Sequence, residues 1–488
     1  MNNLIKNEFI KIFKKKSLWI TGILIIIIII ASNLITKFSN NSSSENYYSD
    51  YYKQYIDEEV AKLNPNTASD NAAYIELKTI QDVITLSNKY KSDDWQQEVI
   101  ETYLQTAIKE KNTYQYGLEK EEEKLKEAQS KYDEMVQKLD RGEWKYFVEE
   151  DLKNVEAQLD LAKQSKENTV DKMALSQIER QIKTLEIQKQ TLNWRLEKNI
   201  EFGYGDNYFN QAIKSYLNSA TSCLDYESNL ENLTYEEKQQ YQNELRRANL
   251  YRYDIENNTK TQESQSARGI LMQVFNNYEI FIILIIVMVA GVMISEEFNK
   301  GTIKLLLVRP YSRNKMLLSK LITSILMIFI ATLFVIGVQS IVGGFVFGFD
   351  SMTLPIIEYS FETNQIITMN MVAYLGIMFL CKLPIYILIT TLAFALSTLT
   401  TNSPLAIAVP LLGYMGSNMI NMLGQELKLK WITLFVTPNW DLSQYLFGGL
   451  PMFENMNLWF SILVCAIYFI IMLIPTFLVF RKRNIKNV

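Results

Sequence analysis

Between two apolar runs, each long enough to cross a bilayer, the stretch from Ile294 to Lys320, "ISEEFNKGTIKLLLVRPYSRNKMLLSK", places eight charged residues. Other kinds of chemistry are harder to assemble from this chain. It has no histidine, and its three cysteines, Cys223, Cys381 and Cys465, are far apart, two of them inside apolar segments. This argues against a thiolate or imidazole metal site, a Ser-His-Asp triad and a disulfide framework. No Gly-x4-Gly-Lys-Ser/Thr loop is present, so the chain does not cradle nucleotide phosphates in the P-loop manner. It is expected to bind no metal and no cofactor of its own, and ATP, if needed, must come through another subunit. Within the apolar spans Lys382, beside Pro384, is the main candidate for an intramembrane polar site, with Glu279 near the outer end of its span. Proton- and ion-coupled transporters need more ionisable groups at mid-depth than this.

The 488 residues divide into two populations. Residues 18–36, "LWITGILIIIIIIASNLIT", are almost purely apolar, whereas residues 40–268 are rich in Glu, Lys, Gln, Asn and Tyr and hold no apolar run of membrane length. The fold class expected is an all-α membrane protein: six transmembrane helices and one large α-helical, coiled-coil domain between spans 1 and 2. The expected organisation is an amphipathic helix over 1–17, span 1 over 18–38, the helical domain over 39–269, and spans 2–6 within 270–488. The first apolar run lacks an Ala-x-Ala cleavage site and reads as a retained anchor. The net charge of −4, with bases and acids interleaved, argues against nucleic acid as a partner.

Lysines and arginines gather before span 1, between spans 2 and 3, and after span 6. With six spans all three clusters fall on one side, which the positive-inside rule makes cytoplasmic. Both termini are then cytoplasmic and the large domain is extracellular. Residues 1–17 bring Ile5, Phe9, Ile12 and Phe13 near helical spacing among lysines, so this helix should lie along membrane lipid at the inner leaflet.

In the large domain Leu118, Leu125, Tyr132 and Leu139 repeat every seven residues, with Ala128 and Met135 between them, as in a coiled-coil seam. Ile178, Ile182, Leu185, Leu192 and Leu196 continue the pattern, weakened by Lys189, and Leu152, Val155, Leu159 and Ala162 supply a facing stripe. A helical hairpin is the simplest arrangement. Thr234 with Glu237 forms a capping box, and residues 257–269 read as a polar linker.

The charged stretch therefore falls on the cytoplasmic side. Read as a helix over 295–308, it puts Phe298, Thr302, Leu305 and Leu306 on one face and Glu297, Lys300 and Lys304 on another. Pro310 then disfavours a helical Arg309, and Ser312 caps the helix leading into span 3.

The motif "SEEFNKGTIKLLLVRPYSRNKMLLSK" after the second of six spans resembles the signature of ABC transporter permeases of the ABC-2 type. An acidic pair, a Gly-Thr and a Pro-x-Ser-Arg recur there in this order. The basic start "NNLIKNEFIKIFKKKSLWI" and the final "FRKRN" also match, so the resemblance covers roughly residues 1–38 and 270–488; the domain between is a departure from the family. The resemblance implies a coupling helix at 295–308 that docks on a separate P-loop ATP-binding subunit, where ATP and Mg would bind, and a second permease, identical or different, pairing around the path. By position Glu296, Glu297, Gly301, Thr302, Ile303 and Lys304 are its docking residues, with Pro310, Ser312 and Arg313 closing the motif. It implies export of an amphipathic or lipid-like substrate such as an antimicrobial peptide. The Lys-, Asn- and Ile-rich composition suggests a Gram-positive bacterium. Two alternatives stand beside this: an envelope receptor or scaffold that needs no ATPase, and a mechanical transmitter in which an ATPase drives the helical hairpin.

Overall fold

A computed structural model describes residues 1–38, 48–203, 207–303 and 312–483. The chain forms two compact units, Met1–Ser39 with Glu263–Val488, and Asn40–Gln262.

Among its described residues the first unit has six helices long and apolar enough to span a membrane: Lys16–Phe38, Glu279–Asn299, Arg313–Phe347, Met371–Thr400, Ser403–Glu426 and Leu458–Lys482. The second has 67% of its apolar window buried against 17% for the sixth and 22% for the first, so it is the axis around which the others pack. The outer spans carry exposed Trp19, Ile23, Ile27, Trp459, Ile470 and Ile471, the surface expected to face acyl chains. The third, at 35 residues, is about 50 Å long and overreaches a hydrocarbon core of about 30 Å. Polar side chains satisfy the first amides of four spans: Ser312 accepts from the Lys315 amide, Asn370 from Ala373, Asn402 from Leu405 and Asn457 from Phe460. No water in the bilayer would do this for them. A buried amide pair joins the first span to the third, Asn33 and Gln339 each donating to the other at 3.1 Å.

One strand pair interrupts the helical pattern. Ile356–Ser360 pairs antiparallel with Gln365–Met369, and the first strand is buried along its length. Between the fifth and sixth spans, short helical turns at Lys430–Leu434 and Leu442–Gly448 bury Ile432, Asn439, Trp440 and Leu442.

The second unit is helical throughout its described residues. Glu122–Asp140 ends where Gly142 adopts a left-handed conformation (φ +76°). Trp144–Asn168 and Lys172–Lys198 then form the hairpin, with Val155, Leu159, Ala162, Leu185 and Leu192 in one core. Leu118 lies before the first of these helices and is exposed, so the seam starts at Leu125. Lys189, which breaks the apolar repeat, pairs with Glu156 on the facing helix at 2.8 Å. The capping box of Thr234 and Glu237 forms.

The expected polar linker over 257–269 is instead structured. In the second unit, buried Asp254 accepts hydrogen bonds from Thr259, Thr261 and the Gln262 amide. In the first unit, Arg268 is fully buried and donates to the Pro355 carbonyl at 2.7 Å. Composition hid this because the order comes from one buried carboxylate, Asp254, and from a backbone carbonyl 87 residues from Arg268, neither of which leaves an apolar pattern.

Candidate functional site

The helix Asn2–Phe13 sets the geometry at one end of the bundle. Leu4, Glu8 and Ile12, spaced four apart, are its buried face, while Ile5 and Phe9 are half-buried and Ile10 and Phe13 exposed. Of the periodic apolar residues only Ile12 is on the inward face, which it shares with Leu4 and a glutamate.

Glu8 is there because of Lys320. Its carboxylate accepts from the Lys320 ammonium at 2.8 Å, and Lys320 is only 3% exposed. Lys320 also donates to Glu297 at 3.1 Å, and Lys11 reaches the same carboxylate at 2.9 Å. Two lysines and two glutamates alternate, so charge is balanced around the buried Lys320, with Lys11 on the exposed side. The Thr302 hydroxyl donates to Glu297 at 2.9 Å. Glu296 is held by Lys15 and, at 2.6 Å, by Lys300. The N-terminal helix, the end of the second span and the start of the third are thereby locked together.

The helix expected over 295–308 is interrupted within its described part, residues 295–303. Ser295–Asn299 is one short turn that stops at Lys300, and Gly301 takes φ +68°, a left-handed conformation that L side chains rarely adopt. Among the described residues, no atom lies within 4 Å of where a Cβ on Gly301 would project. Ile303 is buried in the span core, so it faces inward rather than toward a partner. Lys304 and Pro310 lie outside the described residues. Ser312 caps the third span, and Arg313 donates to the carbonyls of Arg481 and Arg483 at the end of the sixth. Arg483 in turn lies over the Phe298 ring, 5.0 Å from its centre, and donates to the Thr398 carbonyl. Of the other motif residues, Glu296, Glu297 and Thr302 join the lysine network, Ser312 caps its own span, and Arg313 alone ties the third span to the sixth.

A second polar cluster lies between spans. Lys382 is 4% exposed and donates to Asp441 at 2.8 Å and to Glu279 at 3.3 Å; the Tyr414 hydroxyl donates to Glu279 at 3.0 Å. The fourth and second spans and the segment between spans five and six meet at one ammonium, and the fifth span joins through the Glu279 carboxylate. Asp441 and Glu8 escaped sequence reasoning. Each is a single acid in an apolar or basic context, and only an unpaired cation in a remote span signals the need for it.

Six apolar helices, a helical unit inserted between the first two, and ion pairs buried among the spans define a multi-span, predominantly helical membrane protein. A family model described as "Protein of unknown function (DUF2705)" matches residues 246–486. The uncharacterized protein YhcI of Bacillus subtilis (strain 168) is 33% identical over 212 residues, 43% of this chain and 67% of its own length. The uncharacterized membrane protein YdbK of the same organism is 27% identical over 200 residues, 41% of this chain and 76% of its own length. The chain belongs to the YhcI family. No solved structure matches it at a significant level.

Proposed function

We propose that this chain is the membrane permease subunit of an ATP-driven exporter of the ABC-2 type, with a P-loop ATPase docking on the cytoplasmic face at the turn around Gly301. In this topology both termini are cytoplasmic and the unit 40–262 is extracellular. A second permease completes the path, and the cargo is amphipathic or lipid-like. The observation that carries the reading is the Glu297 junction. A short turn open to solvent at Gly301 is bonded through Glu297 to Lys320 of the third span and to Lys11 of the N-terminal helix. Force applied to the turn by a nucleotide-driven partner therefore reaches two other helices through ion pairs, one to the buried Lys320 and one to the exposed Lys11, a rigid-body route for coupling.

The test is whether an ATPase co-purifies with the tagged chain and whether Gly301→Asn releases it. Asparagine tolerates the left-handed backbone, so the turn survives while a side chain enters the open space. Loss of the ATPase at unchanged melting temperature supports docking there. Failure of any nucleotide-binding protein to associate with the unmodified chain sinks the reading.

The inserted unit, with its own apolar cores, favours a second reading in which the ATPase drives that unit against the envelope instead of moving a solute. Deleting residues 40–262 separates the two. Retained ATP-dependent efflux favours the exporter, and a retained ATPase with no efflux favours the transmitter.

A further inference from the structure

Beside the ion network a cavity of about 460 Å³ opens between the N-terminal helix and the ends of the second and third spans. Five lysines and three glutamates line it, leaving two positive charges in excess. Most of these lysines are already engaged with Glu8, Glu296 or Glu297. Lys14 has no ion-pair partner among the described residues, so its charge is available to something else.

Lys14 also lines a second cavity, of about 730 Å³, whose walls are otherwise mainly apolar: Ile5, Phe9, Ile10 and Phe13 of the N-terminal helix and Leu326 of the third span. A basic recess and an apolar groove thus share one lysine. The groove runs along the face of an amphipathic helix suited to lie in the membrane interface.

We propose that these two cavities form one binding site for an anionic phospholipid, its phosphate in the basic recess beside Lys14 and an acyl chain along the Ile5–Phe9–Phe13 groove. Excess positive charge selects an anionic headgroup over a zwitterionic one, and basic recesses between membrane helices are suited to such headgroups. The groove commits the occupant to a lipid, because a free phosphate would leave it unused. Bound there, the lipid bridges the N-terminal helix to the third span beside the Glu8–Lys320 pair and braces the same junction. The site does not depend on an ATPase docking at Gly301.

The purified full chain, in a neutral detergent, is titrated with dioleoylphosphatidylglycerol or dioleoylphosphatidylcholine, and retained lipid is counted by native mass spectrometry. Phosphatidylglycerol should be retained at a concentration at least about tenfold lower than phosphatidylcholine. Lys14→Gln should raise that concentration about fivefold, the effect of one lysine at an anionic surface, with the melting temperature unchanged. Phe13→Ser should weaken retention of both lipids, and glycerol phosphate at equal concentration should displace neither. Equal retention of the two lipids, an unaffected Lys14→Gln variant, or displacement by glycerol phosphate alone would each overturn the proposal.

Discussion

The ammonium of Lys382 lies 2.8 Å from the carboxylate of Asp441, 59 residues further along the chain, and the same ammonium meets Glu279 at 3.3 Å. A lysine in the middle of a membrane helix is thereby given counter-charges from the second span and from a segment that folds back on the bundle. Removing the lysine strands Glu279, which is only 6% exposed. Lys382→Met should therefore destabilise the protein by about 3 kcal/mol, the lower end for a broken buried pair because Asp441 retains some access to solvent. Lys382→Met combined with Glu279→Gln should recover most of the loss. The measurement is thermal unfolding of the detergent-solubilised chain, and a double variant no better than the single would show the two groups to be energetically independent.

The junction at Lys320 makes a local prediction. Glu8→Gln removes the buried charge that holds Asn2–Phe13 against the third span, leaving Lys320 with Glu297 as its remaining carboxylate. Hydrogen exchange over residues 2–13 should speed up by at least tenfold while exchange in the fourth to sixth spans stays unchanged. Lys320→Met should have the larger effect, since it leaves Glu8 and Glu297 with only the half-exposed Lys11 to share between them. Unaltered protection of the N-terminal helix in both variants would mean that apolar contacts alone hold it.

Much of the framework is legible in the sequence because its physical causes are local. About 20 apolar residues in a row have few uses outside a bilayer, so the six spans declare themselves. A period of seven likewise exposes the packing of Leu159 and Leu185. The charged stretch is legible as a junction, but not in its detail. Gly301 could be tolerated in a helix or end one, and only the surrounding fold decides that it turns the chain. Glu8 sits among lysines and asparagines and looks like surface, yet its partner is 312 residues away. The strand pair Ile356–Ser360 and Gln365–Met369 follows a third span whose apolar run is so long that nothing nearby predicts a hairpin. What periodicity misses in each case is a contact between segments distant in sequence.

The hairpin of the second unit separates apolar from ionic stabilisation. Leu159 is buried in the core that also holds Leu185 and Leu192, so Leu159→Ala should cost about 3 kcal/mol by loss of burial and by the cavity left behind. Lys189 and Glu156 are both substantially exposed, and Lys189→Ala should change stability by less than about 0.5 kcal/mol. Urea unfolding followed by helical circular dichroism measures both. A larger effect for Lys189→Ala than for Leu159→Ala would assign the hairpin to electrostatics instead of packing.

Cys223, in the helix Tyr208–Glu227, is a free and buried thiol whose pKa is pushed up to about 12, first by burial and then by Glu227 and Glu244. Reaction proceeds through the thiolate, so at pH 8 the native thiol should react with N-ethylmaleimide about a thousandfold more slowly than an exposed cysteine. The folded pKa lies above the unfolded one, so the folded state keeps its proton over a pH range in which the unfolded chain loses it. The contribution to stability is full below about pH 9 and declines as the pH rises toward 12. Cys223→Ser should flatten that decline, and peptide mapping of the labelled chain with and without denaturant should show Cys223 modified only when unfolded. Rapid labelling of the native chain at pH 8 would place this thiol in solvent and remove the basis for the alkaline loss.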